Sequence, residues 1–530
     1  MLDLLIKNGI IVDGTKKPRF QGDVAIKDGK IVEVAPKIDL NAEKVIDASG
    51  KIVAPGFIDL HRHADAAVFK EEFGEIELRQ GITTLFSGNC GFSLTPCPVA
   101  KRDLLSSYIK PIIGQVPPER QLASYGAYAK ALSSLDLPCN FGYFAGNGTI
   151  RIAVKGFSPD CFSAKEIKQA ENQIEAALDS GAFGLSLGLM YSPENYYRTD
   201  ELIQLCSVLK KYDGILVTHI RGEGNSLLNS ISEVLQIAEK SEIPIEISHL
   251  KAAGKNNWGK GIEAALKTIS AAREKGIDAT CDVYPYDAGS TTLLSLLPPS
   301  YLAGGVQKTL TMLQNKRVRE QLKKELHSEQ TTWDNLLFSL GWSSVVISSV
   351  TTQKNQEYVG KSIAEIAKIQ NKDEVDCLAD LIVAEAGNVS IIIFSMSVDD
   401  VKTVIAWEHS LIISDSIYSG NGLPHPRLYG SFPRVISKYV REEKTLSLED
   451  AIYKMTGKPA QRMKLENKGI ICPNCDADLI VFDYDKIDDV ATYLEPQKPA
   501  VGFDYVLLAG NVVVENDQFL QIKKGRHIKR

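Results

Sequence analysis

The feature that most restricts this chain is a rhythm. From Phe57 onward, short apolar runs that read as strands alternate with helix-length amphipathic stretches, and the alternation persists for hundreds of residues. The strand-like runs fall at residues 81–86, 184–187, 215–218, 245–248, 278–280 and 411–414, with helical patterns at 163–180, 199–212 and 261–276. Repetition of β then α implies parallel strands joined by crossover helices, and closing them into a (β/α)8 barrel is the commonest way to use so many. At 530 residues the chain is long enough for such a barrel with appended modules.

The two ends have a different texture. The first 55 residues alternate β-branched runs with Gly or Asp turns, and Asp28-Gly29 reads as a tight hairpin. Residues 478–482 and 505–514 return to that pattern, so both termini are expected to pair as one small β-sandwich. Between residues 290 and 360 the rhythm breaks at Pro298-Pro299 and a polar, Lys-rich stretch, too long for a plain loop. The expected organisation is α/β: sandwich strands in 1–56 and 466–530, and a TIM-like metal-dependent hydrolase barrel in 57–465 with a small inserted subdomain at 290–360.

Several function classes are disfavoured. A net charge of -6 and no basic block beyond the tail Lys523, Lys524, Arg526, Lys529 and Arg530 argue against nucleic-acid binding. No run approaches the roughly 18 apolar residues of a membrane helix. Met1 to Lys7 lacks the basic and apolar regions of a secretory leader, so a cytoplasmic setting is expected. Nine cysteines scattered over this length imply free thiols rather than a disulfide framework. Cys472-x-x-Cys475 has metal-ligand spacing but no second pair, which favours a solvent-side turn.

The chemistry concentrates in the histidines. Of eight in the chain, four sit at the ends of expected barrel strands: His61 and His63 after an apolar run, His219 after Val217-Thr218, and His249 after Ile247-Ser248. A strand's two-residue period places His61 and His63 on one face. Each alone is a common structural residue, but barrels gather their active groups at the C-terminal rim of the strands, so the four together point to a metal centre. Cys90, flanked by Gly88 and Gly91, ends another strand, and Asp415 ends a late one; both suit a cation.

These residues resemble the D-aminoacylase (N-acyl-D-amino-acid deacylase) family of the amidohydrolase superfamily over nearly the whole chain. The resemblance rests on Asp59-Leu60-His61-Arg62-His63, Gly88-Asn89-Cys90-Gly91-Phe92-Ser93, Gly184 to Tyr191, Thr218-His219-Ile220-Arg221, Ile247 to Lys251, Asn257-Trp258-Gly259, Asp282 to Tyr286, Pro424-His425-Pro426-Arg427 and Lys454-Met455-Thr456. A cysteine where many superfamily members carry a carbamylated lysine marks this branch. The resemblance implies one tight Zn2+ on Cys90, His219 and His249, with His61, His63 and Asp415 facing a second, weaker position. It implies that Asp415 acts as the base, taking a proton from water and passing it to the departing amine of a small N-acyl-D-amino acid. Arg427 is implied to pair with the substrate carboxylate, helped by Lys251, Tyr284 and Ser290, with Tyr191 as pocket wall or oxyanion donor. Departures from the family pattern occur at Asn147, where relatives often carry His, at Ser416, where Gly is common, and in the loop 417–423. His425 is expected to be structural. A barrel with this donor set is also compatible with a cyclic amidohydrolase of dihydroorotase or hydantoinase type, a metal-dependent deaminase or a catalytically inactive scaffold, of which Cys90 in place of a carbamylated lysine disfavours the first and the filled ligand positions the last.

Overall fold

The computed structural model describes every residue except 117–119, 121, 331 and 419–421. Among the described residues no helix is long and apolar enough to cross a membrane.

Strands from both ends of the chain share one nine-stranded sheet. Leu2–Ile11 lies antiparallel to Phe20–Lys27, which turns into Lys30–Ala35 through Asp28 and Gly29, both at positive φ as a type I′ hairpin requires. The sheet forks at the first strand: its start pairs with Ala42–Asp47, its end with Ile52–Pro55. Ile52–Pro55 then pairs with Leu479–Phe482, which continues through Phe503–Leu508 and Asn511–Glu515. Alternation of apolar residues lets Leu4, Ile6, Val24 and Ile26 from one end meet Leu479, Val481 and Leu507 from the other in a single buried core.

The middle of the chain is a closed barrel of eight parallel strands. In order they are Phe57–Asp59 continued by Arg62–His63, then Ile82–Ser87, then Asn140–Tyr143 continued by Ala145–Gly146, then Gly184–Gly188, Ile215–His219, Ile245–Ile247, Ala279–Val283, and Ser410–Ile412 continued by Ser416–Ile417. Closure occurs where Ser416 and Ile417 pair with Arg62 and His63. Amphipathic helices cover the outside. Ala164–Asp179 starts at a capping box between Ser163 and Glu166 and buries Ile167, Ala170, Ile174, Ala177 and Leu178, a stripe at helical spacing.

Between the seventh and eighth barrel strands the chain makes a long excursion. Gly289–Thr292, Val345–Ser349 and Ser390–Ile393 form a three-stranded antiparallel sheet, and helices pack on it around a separate core from Leu293 to Ile393. That core runs past residue 360, where sequence texture put its end. The helices Ile363–Gln370 and Glu374–Ala384 carry the same 3.6-residue stripe as barrel helices, and periodicity does not say which core a stripe faces.

Candidate metal centre

Six side chains converge at the C-terminal rim of the barrel. His219 ends its strand, while His61, Cys90, His249 and Asp415 lie two or three residues beyond theirs, and all are buried with His63. They form two donor groups sharing one sulfur: His61, His63, Cys90 and Asp415, and Cys90, His219 and His249, with donor atoms in each group within 4.8 Å of one another. Cys90 Sγ lies 3.2 Å from His61 Nε2 and 3.4 Å from His249 Nε2. Asp415 Oδ1 lies 3.2 Å from His63 Nε2 and 3.4 Å from His61 Nε2.

The backbone here is held in a costly form. Cys90, His249 and Asp415 have φ of 53°, 36° and 50°, the left-handed region that non-glycine residues seldom adopt, which is characteristic of functional sites whose surroundings over-determine them. The packing that imposes this is close: a Cβ on Gly188 would collide with the carbonyl oxygen of Cys90, so the fourth strand requires glycine there.

The donor set fits a zinc ion. Both ring nitrogens of His219, and Nδ1 of His61 and of His63, are buried without a hydrogen-bond partner. An unmet buried polar atom costs about 1–3 kcal/mol, which an ion would offset at one nitrogen of His219, while the unmet Nδ1 atoms of His61 and His63 lie across their rings from the Nε2 atoms that face Cys90 and Asp415. Burial pushes His61 down to about 4 and holds His219 and His249 well below the ordinary imidazole value, leaving neutral rings with free lone pairs. Burial also pushes the Cys90 thiol well up, so its thiolate needs a cation beside it. One sulfur and two imidazoles with an open side match catalytic zinc.

A narrow cavity opens over these donors. Arg427, fully buried, lies behind the cavity wall with Nη1 at 2.7 Å from Asp415 Oδ2, and its guanidinium stacks 4.7 Å from the Tyr284 ring centre. Burial pushes the Asp415 carboxyl up, but Arg427, His61 and His63 more than offset this and hold it well below the usual carboxylate range. Lys251 Nζ lies 5.9 Å from the same Tyr284 ring. The Tyr284 hydroxyl and Arg427 Nε are buried and unpartnered. Ser290 offers Arg427 its carbonyl oxygen, 3.3 Å from Nη2. Tyr191 packs 5.0 Å from the His219 ring, its hydroxyl 3.3 Å from that of Thr291. His425 is used at both nitrogens, Nε2 donating to Ala288 O and Nδ1 accepting from Arg427 N, so it anchors Arg427.

Residues 414–514 match the model of the amidohydrolase family. The chain is 31% identical to the D-aminoacylase of Alcaligenes xylosoxydans xylosoxydans over 532 residues, spanning 100% of this chain and 98% of that protein. The chain belongs to the D-aminoacylase family. A second relative in the family, the N-acyl-D-glutamate deacylase of the same organism, is 31% identical over 97% of this chain and 93% of its own length. The crystal structure of the N-acyl-D-glutamate deacylase of Bordetella bronchiseptica, complexed with zinc and a phosphonate inhibitor, covers 100% of both chains at 30% identity with a TM-score of 0.84.

In this D-aminoacylase-family chain the structure adds residues that sequence reasoning did not assign to the site. Glu223 faces Lys251 and His249, and Asp282 sits 3.8 Å from His61 Nδ1 while its other oxygen accepts the His249 backbone N–H. Burial pushes the Asp282 carboxyl well up. Asp59 accepts from His61 N at 3.3 Å and Ser414 N at 3.0 Å, and buried Arg62 bridges Glu77 at 2.8 Å and Ser414 Oγ at 3.2 Å across the barrel closure. Asn147 donates to buried Glu194, which accepts the Gly188 N–H at 2.9 Å and so supports the strand that crowds Cys90. A carboxylate four residues after His219, or at a strand's C-terminal end, was the available signal for Glu223, Asp59 and Asp282. Ser416 donates to the Arg427 carbonyl. Of the loop 417–423, residues 419–421 lie outside the described residues.

Proposed function

We propose that this chain is a zinc-dependent amidohydrolase that cuts the acyl amide of N-acyl-D-amino acids, releasing a carboxylate and the free D-amino acid. The observation that carries the reading is the union, around one cavity, of the Cys90, His219 and His249 donors with Lys251 and Tyr284, backed by the buried Arg427 against Asp415 and the Tyr284 ring. The full-length relatives with these activities support it. D-stereochemistry rests on those relatives.

Cys90, His219 and His249 would hold the tight zinc, with His61, His63 and Asp415 beside a weaker position that Cys90 can share. When bound, zinc supplies Lewis acidity, which polarises a carbonyl and makes water more acidic. Arg427 engages the substrate carboxylate through its planar fork, and Lys251 adds a second positive charge. The Tyr284 hydroxyl donates to the same carboxylate, and Ser290 keeps Arg427 in place. Asp415, aligned by His63 and held ionised, accepts the proton of the attacking water and delivers it to the amide nitrogen, which leaves poorly unless protonated. Tyr191 walls the cavity beside His219.

The rest of the cavity wall includes Phe92, Ile112, Met190, Leu336, Ile393 and Ile417, and among the described lining residues Lys251 is the one lysine or arginine. An apolar D side chain therefore suits it better than an acidic one. A cyclic amidohydrolase with a bridging carbamylated lysine does not suit it, because Lys251 is engaged 2.5 Å from Glu223.

The decisive experiment is hydrolysis of a panel of N-acetyl-D- and N-acetyl-L-amino acids by zinc-reconstituted protein. Release of acetate from D-leucine or D-methionine derivatives, abolished by chelation and restored by zinc, is expected. Absence of hydrolysis of every D substrate would overturn the proposal.

A further inference from the structure

Glu223 is a buried carboxylate at this centre that neither donor group contains, and the one that also faces Lys251. It follows the fifth barrel strand, and its backbone carbonyl accepts the Ala253 N–H at 2.7 Å, tying that loop to the one after the sixth strand. Its Oε1 lies 2.5 Å from Lys251 Nζ, 3.2 Å from His249 Nδ1 and 3.8 Å from His219 Nε2. Lys251 Nζ is itself 2.7 Å from His249 Nδ1, so two polar groups of opposite charge crowd around one ring nitrogen.

The chemistry of the ring decides which contact matters. His249 turns Nε2 toward the Cys90 sulfur, so an ion there takes the Nε2 lone pair and the ring proton resides on Nδ1. That N–H needs an acceptor. An ammonium has three donors and no acceptor, so the Lys251 contact at 2.7 Å suits only an Nδ1 lone pair; once an ion holds Nε2, the acceptor within reach of the Nδ1 proton is Glu223 Oε1, 3.2 Å away. Carboxylate–histidine–metal arrangements of this kind orient the ring and raise its basicity as a ligand. The same oxygen also restrains Lys251, whose remaining protons face the cavity near Tyr284.

Resting on the functional reading above, we propose that Glu223 is the positioning residue that couples metal to substrate: one carboxylate oxygen sets the His249 tautomer for the ion and aims Lys251 at the substrate carboxylate. Two properties should then fail together on its removal and separate elsewhere. Zinc affinity is measured by chelator competition on the apo protein, for which an outer partner of a metal histidine is worth about 10–100-fold. In Glu223→Gln, zinc binding is expected to weaken by roughly that factor, and KM at saturating zinc to rise. Lys251→Met should raise KM alone and leave zinc affinity as in the wild type. Should Glu223→Gln not fold, Glu223→Asp reports the same coupling, because the shorter side chain withdraws the oxygen from Nδ1 and weakens zinc likewise. Wild-type zinc affinity in a folded Glu223→Gln, or weakened zinc in Lys251→Met, would overturn the assignment. Failure of wild-type protein to hydrolyse any N-acyl-D-amino acid counts against the functional reading, while the zinc comparison still judges Glu223.

Discussion

Two places in this molecule offer sulfur to a metal, and they differ in what surrounds them. Cys472 and Cys475 have the spacing of a metal motif and their sulfurs touch at 2.7 Å, yet they lie in a turn beside the terminal sheet and belong to neither donor group. Cys90 has no cysteine at metal-motif spacing, the next being Cys97, but it sits among buried imidazoles drawn from the first, fifth and sixth barrel strands. Around Cys90 the structure leaves polar atoms unmet and bends three non-glycine residues into left-handed backbone. Around Cys472 the hydrogen bonds close locally: Cys475 N–H donates to Cys472 O, and Ile31 N–H donates to Cys475 O. Ligand spacing is thus the weaker guide, and a set of unmet donors that the fold holds together the stronger one.

Substitutions can break that contrast at either end. The largest effect is expected for Cys90→Ala, which should lose the tight zinc and all turnover above background, read by metal analysis alongside the hydrolysis assay; retention of stoichiometric zinc would place the centre elsewhere. Next, Asp415→Asn should keep zinc on Cys90, His219 and His249 while the turnover number falls by about 10²–10⁴, the usual contribution of a general base. An Asn variant as fast as wild type would remove Asp415 from proton transfer. Arg427→Lys should bind zinc normally yet lose roughly tenfold or more in kcat/KM, since one charge-assisted hydrogen bond is worth about 1.5–3 kcal/mol; the loss should vanish with a substrate lacking the carboxylate. The smallest effect belongs to Cys472→Ser, which should leave zinc content and kinetics as they were and alter stability by no more than about 1 kcal/mol. A metal-depleted Cys472→Ser protein would erase the distinction between the two sulfur sites.

The two hydrophobic cores offer a second contrast. The barrel core is continuous from Val12 to Ile528 and includes Cys90, Tyr284 and Ile417 at the cavity, whereas the core of the excursion is its own cluster. The excursion still shapes the site, because Gly289, Ser290, Thr291 and Ile393 of its small sheet line the cavity. Ser290 was legible as a site residue only through the family pattern; the cavity wall supplied by Ile393 was not legible at all, since it is brought there by antiparallel pairing of Ser390–Ile393 with Gly289–Thr292 across a long loop.

What the amino-acid sequence determined by itself is the alternation of strand and helix, and with it the rim. Periods of 2 and 3.6 are local properties of the backbone, so apolar runs ending in His61, His63, His219 and His249 are visible along a line of text, and barrel geometry says where strand ends meet. What only the tertiary structure decided is which atoms meet. Asp415 reaches His63 because Ser416 and Ile417 pair with Arg62 and His63 to close the barrel, a contact between residues more than 350 positions apart. Cys90, His249 and Asp415 take left-handed backbone, and Glu223 turns toward Nδ1 of His249, because packing across neighbouring strands and loops over-determines them. No local preference encodes such positions; their energy comes from contacts that exist only once the chain has closed on itself.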